Sequence, residues 1–178
     1  MDTVFLDRDG VINKKIENGY VLNWYSFEFL PNVFEGLKRL NEENFRLIIL
    51  TNQACIGKGI LSEEKFHEIM YKMINKIRKK GGNIHKYYVC PDYDNSSICR
   101  KPNVGLFLKA KIDFPDINFK NSFVIGDSIS DIKAGKEIGS RTILIHSNTN
   151  FTMEITPDFF ARDLLDAAEI IIKHKIKI

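Results

Sequence analysis

Short apolar runs that alternate with amphipathic stretches predict an α/β fold: a single three-layer domain with a mainly parallel, Rossmann-like sheet and helices packed on it. Two further observations point the same way. The chain has 178 residues, of which 44% are hydrophobic and 11% aromatic, so residues 1–178 can build one ordinary core as one domain. Several apolar runs also stop abruptly at polar, chemistry-bearing residues, as strands do where they deliver side chains to one rim of an open sheet.

The elements follow in chain order. Thr3–Leu6 is the first strand and stops at Asp7. Pro31 starts a helix through Leu40, a position where its missing amide hydrogen costs nothing. Arg46–Thr51 is the second strand. Ser62 is the N-cap of a long helix, followed by Glu63 and Glu64, with Phe66, Ile69, Met70, Met73, Ile74 and Ile77 on one core-facing stripe. Strands are expected at Lys86–Val89, Ser122–Ile125, Thr142–Ile145 and near Asp158–Ala161. Helices are expected at Gly105–Phe114 and Asp131–Glu137, and Asp163 caps a last one.

Bulk numbers exclude several classes. Lysine and arginine total 26 against 23 acidic residues, and a net charge of +3 singles out neither nucleic acid nor an anionic membrane. The apolar opening Val4-Phe5-Leu6 is too short for a signal sequence, and no later apolar run suits a membrane span, so a cytoplasmic location is expected. Cys55, Cys90 and Cys99 are too few, and odd in number, for a disulfide scaffold, which fits a reducing compartment. The basic cluster Lys72, Lys76, Arg78, Lys79 and Lys80 reads as the solvent face and end of the Ser62 helix, where cations suit the dipole. His67, His85, His146 and His174 show no ligand spacing, and Cys55 reads as packing.

Four strand ends converge on one rim: Asp7 and Asp9, then Thr51-Asn52-Gln53, then the Cys90-Pro91-Asp92 loop leading to Arg100-Lys101, then Gly126-Asp127-Ser128 with Asp131. Asp7 and Asp9 are separated by one residue and would repel each other without a cation or a chemical use. Asp7, Asp9 and Asp127 suit a hard divalent cation such as Mg2+, which attracts phosphate, and Lys101 with the Thr51 hydroxyl can hold the remaining phosphate oxygens. The grouping suggests phosphoryl transfer, with Asp7 as nucleophile and Asp9 as general acid and base. Asp131 reads as a helix cap, with a loop-orienting role as the alternative.

These motifs, D-x-D-G from Asp7, L-T-N from Leu50, R-K-P from Arg100 and G-D-S-x-x-D from Gly126, resemble in type and order those of the haloacid dehalogenase superfamily of phosphatases. The likeness runs from about Phe5 to Ile145. FLDRDGVIN, NGYV, TNQACIGKG and CRKP are similar to its histidinol-phosphate and heptose bisphosphate phosphatase subgroup, and Asn52 to Gly59 match the heptose members better. The resemblance implies an HAD-like domain, a catalytic set of Asp7, Asp9, Thr51 and Lys101, and magnesium on Asp7, Asp127 and the main-chain carbonyl of Asp9. It implies substrate contacts at Asn18, Gly19, Tyr20, Asn52, Lys58 and Arg100, and removal of the 7-phosphate of D-glycero-D-manno-heptose 1,7-bisphosphate in nucleotide-heptose synthesis. A second phosphate would give Lys58 and Arg100 a partner; otherwise they are ordinary solvated charges. Asp9 to Thr51 leaves no room for a large cap domain. The family's zinc loop, Cys-x-His and Cys-x-Cys, becomes Cys90-Pro91-Asp92 and Ser97-Ile98-Cys99, so structural Zn2+ is not expected. The expected partner is a small phosphorylated sugar, with no nucleic acid or membrane, for a monomeric enzyme.

Three alternatives use similar residues. A histidinol-phosphate phosphatase shares the subgroup. A nucleic-acid 3′-phosphatase shares the motifs but calls for a basic groove with stacking aromatics, which the sequence does not clearly offer. A phospho-receiver switch uses an aspartate on a middle strand, where this chain has Thr51.

Overall fold

The chain is described by a computed structural model over residues 1–145 and 155–175; His146 lies outside these residues. Six strands form one parallel sheet: β1 (Thr3–Leu6), β2 (Arg46–Asn52), β3 (Lys86–Cys90), β4 (Phe123–Gly126), β5 (Arg141–Ile145) and β6 (Phe159–Ala161). Their spatial order is β3-β2-β1-β4-β5-β6. β1 is buried along its length because it is central and covered on both faces, with Leu6 opposite Ile49 of β2 and Ile125 of β4.

The period-two alternation of a strand sorts β1 between two cores. Val4 and Leu6 face α1 (Val33–Glu42), α3 (Glu63–Lys79) and α6 (Leu164–Lys173); Phe5 faces α4 (Gly105–Asp113) and Ala134 of α5 (Ile129–Glu137). The result is helix, sheet and helix in three layers, as expected. In α3, Ser62 accepts a hydrogen bond from the Lys65 amide and Phe66, Ile69, Met70, Met73 and Ile77 are buried, while Lys76, Arg78 and Lys79 occupy the last turn. Asp163 caps α6 by accepting from the Asp166 amide.

Two helix starts differ from expectation. α1 begins at Val33, because Asn32 in the left-handed region is its N-cap, and Pro31 precedes the helix. α5 begins at Ile129, with Ser128 as N-cap and Asp131 in the third helical position. A short α2 (Ala54–Gly57) follows β2 at once; four residues carry no periodicity to read. Between β1 and α1 the only helix is the 3-10 turn Trp24–Ser26, so no cap domain covers the site among the described residues. None of the described helices is long and apolar enough to cross a membrane. His67, His85 and His174 sit in separate contacts, with Tyr87, the Leu47 amide and Phe159.

Candidate active site

The chain doubles back on itself in the sheet between β1 and β4: β2 and β3 lie to one side of β1, and β4 to β6 to the other. Such a switch point leaves a crevice beyond the strand ends. Asp7 follows β1 and is fixed by its amide, which donates to Ile125 O at 2.9 Å. Asp127 follows β4. Gly10 lets the two strand ends approach, since it has φ +89° and a Cβ there would lie 2.3 Å from Asp127 Oδ2.

Lys101 ties the centre together. Its Nζ donates to Asp7 Oδ1 at 2.7 Å, Asp131 Oδ1 at 2.6 Å and Leu50 O at 2.6 Å, so all three ammonium protons are used. The side chain is buried; burial lowers its proton affinity, but the charges of Asp131 and Asp7 more than reverse that. Asn52 fixes the Lys101 backbone from both sides, accepting from its amide and donating to its carbonyl. Asp131 also accepts from the Ser128 hydroxyl and amide, so it caps α5 and holds Lys101 at once. Gly126 makes room, because a Cβ there would lie 2.2 Å from Asp131 Cβ. Burial pushes the Asp7 carboxyl from an ordinary 3.8 up to about 7, the charges of Asp131 and Asp127 adding to it against the pull of Lys101.

Asp9 has different neighbours. Arg8 NH2 donates to its Oδ1 at 2.7 Å, Asn13 Nδ2 to Oδ1 at 2.9 Å and Gln53 Nε2 to Oδ2 at 2.8 Å. Burial pushes this carboxyl up, yet the Arg8 charge and these hydrogen bonds outweigh it and hold Asp9 below the usual carboxylate range. Arg8 itself is fully buried, with its guanidinium over the Phe66 ring. Gln53 Nε2 also donates to the Thr51 hydroxyl at 2.8 Å, so one amide connects Asp9 to the buried Thr51.

A cavity of about 260 Å3 opens over these groups. Of the residues singled out by sequence, Asp7, Asp9, Lys101, Asp127, Gly19, Tyr20, Asn52 and Arg100 line it. Asn18, in the left-handed region, Thr51 and Lys58 lie outside its wall, although Lys58 Nζ donates to the Tyr20 hydroxyl at 3.2 Å. Arg100 is anchored by its NH1 on Asp92 O at 3.0 Å and its Nε on Asn95 Oδ1 at 3.3 Å. Gln53 and Asp131, expected on the same rim, line the wall too, as do Arg8 and Lys15, to which sequence reasoning gave no place in the site. Lys15, in a polar loop, carries no signal in the sequence.

The profile of the family described as polynucleotide kinase 3 phosphatase matches residues 3–176. A D-glycero-alpha-D-manno-heptose-1,7-bisphosphate 7-phosphatase from Campylobacter jejuni is 39% identical over 142 residues, 80% of this chain and 80% of that protein. The chain belongs to this family of phosphatases. It is a phosphoric monoester hydrolase of the haloacid dehalogenase type, not a phospho-receiver switch. The D-glycero-beta-D-manno-heptose-1,7-bisphosphate 7-phosphatase of Vibrio cholerae is 36% identical, covering 84% of this chain and 83% of that one. In fold, the chain matches a D,D-heptose 1,7-bisphosphate phosphatase from B. bronchiseptica, crystallised with magnesium and phosphate, at a TM-score of 0.88 and 23% identity over 97% of this chain and 99% of that one.

The chain offers hard oxygen donors at the switch point. Carboxylate oxygens of Asp7, Asp127 and Asp131 lie within 4.8 Å of one another. Such crowding of acids fits a small divalent cation. Asp131 was expected as a cap and is also part of this cluster, whereas the Asp9 carboxylate belongs to Arg8, Asn13 and Gln53.

The loop after β3 departs from the cysteine reading. One disulfide does form, between Cys90 and Cys99, while Cys55 is free and buried. A count of three could not show it, because pairing depends on the loop folding back over nine positions. Within this loop the Ser97 hydroxyl donates to Asp92 Oδ2 at 2.5 Å. The closed loop delivers Arg100 and Lys101 to the cavity.

Proposed function

We propose that the chain is a magnesium-dependent 7-phosphatase of D-glycero-D-manno-heptose 1,7-bisphosphate, a cytoplasmic monomer on the route to nucleotide-activated heptose for surface glycans. One observation carries this reading. Asp7, clamped by Lys101, opens onto a cavity whose wall includes Arg100 and Tyr20, with Lys58 on the Tyr20 hydroxyl. A phosphate at Asp7 and a second one at this basic side answer both sets of groups. The names of the Campylobacter and Vibrio relatives support the same substrate, and between them they cover both anomers.

In this mechanism an Asp7 oxygen attacks the 7-phosphorus in line, and the bond from phosphorus to the sugar oxygen breaks. Asp9 gives its proton to the departing alkoxide, the approach of a phosphate dianion having favoured its protonated form. Asp9 then removes a proton from the water that attacks the aspartyl phosphate, and inorganic phosphate leaves. Lys101, turning one ammonium proton from Asp7 to a phosphoryl oxygen as Asp7 attacks, holds the transferring group with the Thr51 hydroxyl, and Gln53 keeps Thr51 and Asp9 in register. Asp7, Asp127 and the main-chain carbonyl of Asp9 would hold the magnesium, which would supply charge neutralisation at the phosphoryl oxygens. Gly19 and Tyr20 face the sugar from the cavity wall, Asn18 precedes them in the same loop, and Asn52 acts through the Lys101 backbone.

Phosphate release is the test, measured on both heptose bisphosphate anomers, histidinol phosphate and a 3′-phosphorylated oligonucleotide, the last because the family description names polynucleotides. A heptose bisphosphate anomer should give the highest kcat/KM. A higher value for histidinol phosphate or the oligonucleotide overturns the substrate assignment.

A further inference from the structure

Lys15 is a cation of the cavity wall that no step of the proposed reaction uses. Lys15 Nζ donates to Asp127 Oδ2 at 2.8 Å, across 112 residues of chain. The contact is built into the loop. Just before it, the Lys14 amide donates to Glu28 O at 2.8 Å and Asn13 bridges to both Asp9 and Phe29, so the backbone arrives at a fixed point. Lys15 feels the charges of Asp127, Asp7 and Asp131 together; burial lowers its proton affinity, but those acids raise it further.

Charge accounting gives this contact a meaning. Asp7 and Asp131 share Lys101, and Asp9 has Arg8, which leaves Asp127 to Lys15. A divalent ion placed between Asp7 and Asp127 therefore has to take Asp127 from an ammonium already in position. Release is easy, because the Lys15 side chain is 57% exposed whereas that of Asp127 is 15% exposed. Half-exposed pairs of this kind are weak. Lys15 lines the same cavity as Gly19 and Tyr20, so an ammonium set free there can turn to the phosphate of an incoming substrate.

We propose that Lys15 is an exchangeable positioning residue: it holds Asp127 in the metal-free site, yields it to the divalent cation, and then turns to the anionic substrate. The idea rests on the magnesium-dependent bisphosphatase reading given above. It predicts effects of opposite sign from one substitution, which a merely structural lysine would not give.

The test uses the full chain with Lys15→Met, Lys15→Arg and, as a control, Lys14→Met, whose lysine pairs with Glu28. Calorimetric titration with Mg2+ alone should show about threefold tighter binding for Lys15→Met, the size expected from losing a half-exposed competing pair. At saturating Mg2+ the same variant should show a KM for heptose bisphosphate raised about threefold or more. Lys15→Arg, which keeps the charge, should return both values toward wild type, and Lys14→Met should change neither. An unchanged or weaker Mg2+ affinity in Lys15→Met, an unchanged KM, an arginine variant that behaves like methionine, or equal effects from Lys14→Met would overturn the proposal. Failure of the wild-type chain to bind Mg2+ would instead overturn the magnesium reading beneath it.

Discussion

Asp7 and Asp9 are two residues apart, yet they lie in different regions of the site. Asp7 sits at the β1/β4 switch point among other acids, with Lys101 as its cation, and its carboxyl is pushed up to about 7. Asp9 sits toward β2 among donors, Arg8, Asn13 and Gln53, and is held below the ordinary carboxylate range even though it is also largely buried. Burial pushes both carboxyls up; at Asp7 neighbouring acids add to that push and Lys101 does not cancel it, whereas at Asp9 the Arg8 charge and three hydrogen bonds overturn it. An acid among acids is suited to a metal and to covalent chemistry with phosphate. An acid among donors is held in one place, ready to move a proton.

Substitutions can break that contrast, and the largest effect belongs to the metal side. Asp7→Asn should lower kcat by roughly 10^4-fold or more, with the thermal midpoint retained, because it removes the nucleophile and little of the packing. Asp9→Asn should lower kcat by roughly 10^2 to 10^4-fold. Retained phosphatase activity in the first variant would end the nucleophile assignment; near-normal kcat in the second would end the acid–base one. Gly10→Ala should cost about 1–3 kcal/mol in chemical denaturation and weaken Mg2+ binding, because its Cβ collides with Asp127 in a backbone conformation that favours glycine.

The smallest effect is the pH dependence of stability, and it separates the two carboxylates by sign. Folded, metal-free Asp7 keeps its proton up to about pH 7, whereas the unfolded chain loses it near 3.8. Between those values the folded state binds more protons, so the Asp7 contribution makes stability fall as pH rises through that window. Asp9 has a depressed folded value; its contribution is present above the ordinary carboxylate range and is lost as pH falls through its folded pKa. Denaturation midpoints of the metal-free chain should therefore fall less steeply between about pH 4 and 7 in Asp7→Asn than in wild type. In Asp9→Asn that slope should persist and the acid-side loss should shrink. Identical profiles for both variants would remove the contrast.

Sequence was a good guide wherever local pattern decides the outcome. All six strands lie within about one residue of their expected bounds, because apolar runs in a parallel sheet are set off by polar ends. Asp7, Asp9, Lys101 and Asp127 reach one cavity because each lies at or beyond a strand end on the same rim. What escaped depends on contacts between distant segments. The double task of Asp131 needs β4 beside β1 and Lys101 between them, whereas its spacing from Ser128 shows only the cap. Arg8 looks like an ordinary charge in FLDRDG until the fold buries it against Phe66. Lys15 lies in a polar loop with no motif, and only the tertiary structure carries it to Asp127.

The account depends most on covalent phosphorylation of Asp7. Rapid acid quench during turnover of heptose bisphosphate, followed by reductive trapping with borohydride and peptide mass spectrometry, reads it directly. Label should appear on Asp7 within the first turnover and should be lost in Asp7→Asn. A chain that releases phosphate at full rate with no label at Asp7 would contradict the mechanism.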